Sequence, residues 1–200
     1  MKRLVLIGLA VATLGVTLLA TASCRSSTPR RDPLGETFPA VVGQSLDGAR
    51  VEIPGAFRGK PVVLIVGYEQ ESQFDIDRWL LAMTDARIDV AVREVPTIPG
   101  LAPRVFSGWI DSGMRRGIPQ EDWGSVVTVY GDGAAIAEFT GNQEGLPGRV
   151  LVLDAEGRVA FFHDRGYSAG ALGRLRETLE ALAAGTPQGG GAPSREELPR

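Results

Sequence analysis

Apolar positions along the chain fall into two repeating patterns, and their alternation predicts the order of elements. Pro61–Tyr68 is a short, β-branched apolar run between Gly59-Lys60 and a polar stretch, which predicts a fully buried central strand. From Ser72 to Ile88 the period changes: Ile76, Trp79, Leu80 and Met83 recur at offsets of three and four, so one helical face is apolar. Asp89–Ile98 reads as a second strand, parallel to the first. Pro103–Arg116 reads as a helix with Phe106, Trp109, Ile110 and Met114 on one face, stopped by Gly117 and Pro119. Val126–Tyr130 predicts a third strand, and Ala134–Phe139 a short helix at most. Ahead of these, Val41-Val42 and Ala49–Ile53 flank Asp47-Gly48, a hairpin signal. Behind them, Val150–Leu153 and Val159–Phe162 flank Asp154–Gly157, a second hairpin. The last helix, Ser168–Ala184, carries the stripe Leu172, Leu175, Leu179 and Leu182, with Ser168 as its N-cap. This order predicts an α/β fold: a mixed sheet with helices on both faces and an N-terminal β-hairpin.

The ends of the chain change the picture from a plain globular domain to an exported one. Lys2-Arg3 precede Leu4–Ala22, which has no charge and no proline, and small residues lead to Cys24. Residues 1–23 are therefore expected to be a signal peptide. The cysteine directly after it resembles the bacterial lipobox, with Thr21 where leucine is usual. That resemblance implies acylation of Cys24 and anchoring in a lipid bilayer, with the domain facing the periplasm or cell exterior. The competing reading is an uncleaved anchor, since the apolar run is long enough to span. Residues 24–36 read as a tether, 37–184 as one domain, and 185–200, rich in Gly, Pro and charge, as a disordered tail.

Of the 200 residues, 44% are hydrophobic and 22% charged, an ordinary globular balance. Net charge is −3; without Lys2 and Arg3 the 21 basic residues become 19 against 24 acidic, or −5. An acidic domain without a basic cluster gives no case for nucleic acid. The single cysteine, Cys24, excludes an internal disulfide or CxxC pair, and the single histidine, His163, excludes multi-histidine metal sites. Glu69, Glu71, Asp75 and Asp77 lack the spacing of a calcium loop and read as the acidic start of a helix. No metal or cofactor is expected. Ser72 and Asp75 read as a helix cap. His163 beside Asp164 is an acid–base candidate whose plainer reading is a strand-end histidine.

Two stretches carry a wider resemblance. Val62–Asp75 places a buried strand before a helix, and Leu146–Val159 places a proline before a strand that ends in Asp and a Gly turn. Together with Leu46-Asp47-Gly48 they resemble the thioredoxin-like superfamily, in its alkyl-hydroperoxide-reductase and thiol-disulfide branch. That resemblance makes Pro147 a cis-proline and puts Ser72 and Asp75 where the reactive cysteines stand. Within the superfamily, Pro61–Tyr68, Trp79, Met114–Asp122 and Gly141-Asn142 resemble a cysteine-poor family of mitochondrial ATP-synthase assembly factors. The implied function is binding without catalysis: a membrane-anchored, assembly or chaperone-like protein that holds an exported or membrane protein in the cell envelope. The implied face comprises Tyr68, Glu69, Glu71, Ser72, Phe74, Asp75, Leu146 and Pro147. The alternative is an enzyme, either one working with a partner's cysteine or a hydrolase using Ser72 or His163.

Overall fold

Six consecutive residues without a polar side chain, Val62–Gly67, form strand β3, and every one is buried. Such a strand needs cover on both faces, and its alternating side chains divide the core in two. Val62, Leu64 and Val66 point to a cluster with Phe38, Val41, Ile136 and Phe139. Val63 and Ile65 point to the opposite cluster with Ile76, Trp79, Met83, Phe161 and Leu175. The structure is a computed structural model that describes residues 28–98 and 107–185. The expected signal peptide, Cys24, residues 186–200 of the expected tail, and Pro103 and Phe106 of the second predicted helix lie outside the described residues.

β3 pairs in parallel with β4 (Ala91–Pro96) and antiparallel with β6 (Arg149–Leu153), which pairs antiparallel with β7 (Val159–His163). Helices α1 (Gln73–Asp85) and α4 (Ala169–Ala183) cover the Val63/Ile65 face. The N-terminal hairpin is present as β1 (Val41–Ser45) and β2 (Arg50–Ile53), with Gly48 at φ +96° in its turn. Helix α2 spans Ser107–Arg115. The expected third strand is shorter than its apolar run: β5 is Val127–Thr128, antiparallel to β1. Single parallel bridges, Glu94 to Val126 and Thr97 to Val129, link it to β4. The expected single sheet is thus a three-stranded sheet, β2-β1-β5, joined by these bridges to a four-stranded one, β4-β3-β6-β7.

Two helices depart from their sequence reading. The stretch expected to be barely helical is α3 (Gly133–Thr140), because Ile136, Ala137 and Phe139 all pack into the core. Ser168 does cap α4, accepting from the Ala171 N–H at 3.1 Å. Ser72 does not cap α1. A 3₁₀ turn over Gln70–Ser72 precedes the helix, so Ser72 already has helical φ and ψ and its side chain points elsewhere.

The tether also differs from a free linker over its described part. Thr28 exchanges hydrogen bonds with the 142–143 backbone and the Asn142 side chain. The Gly35 N–H donates to Val159 O at 2.8 Å, and the Val159 N–H donates to Glu36 O at 2.8 Å. Residues 28–36 form a strap across the domain, held by the unpaired edge of β7 and the loop after α3. Gly141 is required beneath it: φ is +69°, and a Cβ there would lie 2.6 Å from Pro29 O.

Candidate functional site

The carboxyl end of β3 leads through Tyr68–Ser72 into α1, and the loop 141–148 runs alongside it. Two long-range hydrogen bonds clamp the pair. Ser72 Oγ, fully buried, donates to Gly145 O at 3.0 Å. The Gly148 N–H donates to Asp75 Oδ2 at 3.0 Å. The other Asp75 oxygen accepts from the Tyr167 N–H at 2.7 Å and faces the Arg78 guanidinium at 3.3 Å. Asp75 therefore joins three segments remote in sequence. Both residues read as helix caps serve tertiary contacts, because the preceding 3₁₀ turn directs them inward.

Between the clamps two apolar side chains face solvent. Phe74, between Ser72 and Asp75, is 77% exposed, and Leu146, between Gly145 and Gly148, is 55% exposed. Glu71 is exposed, whereas Tyr68, Glu69 and Pro147 are half-buried. Glu69 lies over Gly145, where a Cβ would meet its Oε1 at 2.1 Å. The rim thus gathers all eight residues of the expected face, although Ser72 and Asp75 belong to its buried support.

Pro147 departs from expectation. Leu146–Pro147 is not a cis bond; among the described residues the cis bond is Ile53–Pro54. In this trans course Gly145 O meets Ser72, the Gly148 N–H meets Asp75 and Pro147 O accepts from Arg149. Proline has no N–H of its own. Three main-chain groups of the segment expected to pair with an added strand are therefore occupied from within. Leu146 keeps an N–H and a C=O without a partner among the described residues.

Arg149, missed in the sequence, supports the rim from below. It opens a strand that otherwise reads Val-Leu-Val-Leu, and a charge at the start of such a run is usually solvated. Here it is 3% exposed. Its Nε donates to Gly141 O at 2.9 Å, and its guanidinium lies 5.3 Å from the Tyr68 ring centroid. Burial holds its pKa below the usual guanidinium range. Burial also pushes the Tyr68 hydroxyl up to about 12, against a 2.6 Å hydrogen bond to Thr140.

His163 and Asp164, the acid–base candidates, take separate partners. His163 Nε2 lies 2.7 Å from Gly166 O, and Asp164 takes the Arg30 guanidinium of the strap. The His163 ring packs on Trp79, which also meets Tyr167 edge-on at 5.4 Å. Two open concavities, of about 420 and 310 Å³, lie elsewhere, one beside Leu34 and Phe161, the other around Phe57 and Val62. Among the described residues no three His, Cys, Asp or Glu side chains group to hold a metal, and no helix is long and apolar enough to cross a membrane.

Glu94 is a second titratable group the sequence did not single out. It sits on β4 beside α1, where burial and then the Asp77 charge raise its pKa, against a hydrogen bond from Gln73. A raised carboxyl pKa favours folding below the unfolded value and loses that contribution as pH rises through the folded one. Glu94→Gln is accordingly expected to raise Tm at pH 7, with the difference vanishing near pH 4. Equal gains in thermal scans at both pH values would contradict this.

No family model matches the sequence, and no curated protein does. Solved structures do match. A SCO1/SenC family lipoprotein from Bacillus anthracis superposes with a TM-score of 0.52 at 13% identity, over 78% of this chain and 99% of that one. BsSco, a member of the Sco family of cytochrome c oxidase assembly proteins, gives 0.51 at 12%, over 76% and 97%. A peroxiredoxin-like protein from Aquifex aeolicus gives 0.51 at 14%, over 76% and 90%. At these identities the likeness is one of fold: the chain has a thioredoxin-like fold, with the mixed sheet and helices expected.

Proposed function

We propose that this chain is a membrane-anchored thioredoxin-like lipoprotein that binds an exported or membrane protein without thiol chemistry, in an assembly or chaperone-like role. The observation that carries the reading is the clamped rim. Where the fold would hold two cysteines, Ser72 and Asp75 are spent on Gly145 and Gly148, and Phe74 and Leu146 are left exposed between them. The envelope location rests on the signal-like N-terminus and Cys24. It is supported by the occurrence of a lipoprotein among the similar structures. The assembly role draws on the resemblance to ATP-synthase assembly factors. A hydrolase reading is disfavoured by the engagement of Ser72 with Gly145 and of His163 with Gly166.

Recognition through this rim relies on side chains more than on strand addition. Full burial of Phe74 and Leu146 contributes about 1.5–3 kcal/mol each. Main-chain pairing is confined to the groups the clamps leave open, among them the Leu146 N–H and C=O. Phe74→Ala and Leu146→Asp should each lower photocrosslinked capture of the envelope partner at least tenfold. Tm should barely move, because both side chains are exposed. Wild-type capture by both folded variants would move the binding site elsewhere.

A further inference from the structure

The strap fixes where the rim stands relative to the anchor. Its first described residue, Thr28, is pinned to the loop that carries Leu146. The Thr28 N–H donates to Asn142 Oδ1 at 2.7 Å, and Thr28 O accepts from the Asn142 and Gln143 N–H groups at 3.0 and 2.9 Å. Pro29 and Arg30 then lie on Gly141, and Arg30 pairs with Asp164 and, at 3.6 Å, with Glu144. Four peptide steps separate Thr28 from Cys24. Fully extended, four residues span about 14 Å at most. An uncleaved apolar anchor would leave the bilayer at nearly the same point, so either form of attachment gives the same reach. The opposite pole, where the Gly59 N–H meets Ala155 O, lies beyond the other end of β3.

Resting on the anchored binding role proposed above, we infer that the strap holds the Asn142–Leu146 rim toward the bilayer. The partner it fits is the extended juxtamembrane segment of an integral membrane protein, carrying apolar and basic side chains. The basic character follows from charge: Glu69, Glu71, Asp77 and Glu144 around Phe74 and Leu146 outnumber the exposed Arg78 and the Arg30 that pairs with Glu144. The same acids disfavour an anionic lipid surface as the occupant. A freely diffusing exported chain would gain nothing from a rim held this close to the headgroups, whereas a segment emerging from the bilayer is concentrated there.

The test uses the full acylated chain in phosphatidylcholine vesicles that carry a nickel-chelating lipid. Nitroxides are placed at Gln143→Cys or at Arg58→Cys. Paramagnetic relaxation at 143 should exceed that at 58 at least fivefold, and twenty Gly/Ser residues inserted between Ser26 and Ser27 should abolish the contrast. A photocrosslinker at Gln143 should then capture a transmembrane peptide with a Leu-Arg-Leu-Lys flank at least tenfold better than the same flank free in solution. Equal relaxation at the two positions, contrast that survives the insertion, crosslinking to lipid alone, or equal capture of the free flank would overturn the inference. Crosslinking unaffected by Phe74→Ala would instead overturn the rim as the binding face, so the two failures are distinguishable.

Discussion

Asp75→Ala is expected to lower folding stability by about 4 kcal/mol, the largest effect of a single substitution at the rim. Asp75 is 5% exposed, and its carboxylate accepts from two main-chain N–H groups, those of Gly148 and Tyr167. Alanine leaves both donors without an acceptor, and each buried orphan costs about 1–3 kcal/mol. The Arg78 contact adds little, because that guanidinium is largely solvated. Asp75→Asn keeps one acceptor oxygen and should fall between wild type and alanine. Urea unfolding gives the comparison directly, as a shift in midpoint at constant slope. A loss under 1 kcal/mol would mean that the Gly148 and Tyr167 donors find other acceptors, and the clamp would not be what holds the loop.

Arg149→Met comes next, at about 3 kcal/mol. Methionine fills much of the volume and removes a charge that is unfavourable to bury. It also strips Gly141 O and Pro147 O of the guanidinium that joins them, and removes the cation from the Tyr68 face. The lost partners outweigh the relief, since both carbonyls sit in the loop that carries the strap and the rim. Arg149→Lys should recover little of the loss, because one ammonium does not reproduce the planar fork that reaches two carbonyls. The damage should also spread to the strap: exchange at the Asn142 and Gln143 N–H groups, bonded to Thr28 O, should accelerate beyond the global change. Stability unchanged in Met and Lys alike would show that water takes over both carbonyls.

These two residues mark the boundary of what local pattern conveys. The buried run Val62–Gly67 and the stripe Ile76, Trp79 and Met83 follow their sequence periods into the core. So does the turn at Asp154, whose Oδ1 accepts from the Glu156 and Arg158 N–H groups. Each depends on neighbours within a few residues. Ser72 and Asp75 looked like a cap by the same local logic, and the local logic failed because their partners lie 73 and 92 residues away. Arg149 drew no notice for the same reason, and residues 28–36 read as a tether because they lack apolar periodicity. A segment held by hydrogen bonds and the ion pairs of Arg30 leaves no such period to read.

The sequence by itself determined the element order, the mixed α/β class, the absence of a second thiol and the residues that gather at the rim. Apolar periodicity encodes burial, and burial is the dominant force that places strands and helices. Only the tertiary structure decided what those rim residues do. It turned two presumed caps into clamps, engaged Gly145 O, Pro147 O and the Gly148 N–H of the loop, and docked residues 28–36 across β7 and the loop after α3. Hydrogen bonds between distant segments carry no sequence period: a buried polar side chain must find a partner, and only the folded chain fixes which one lies within 3 Å.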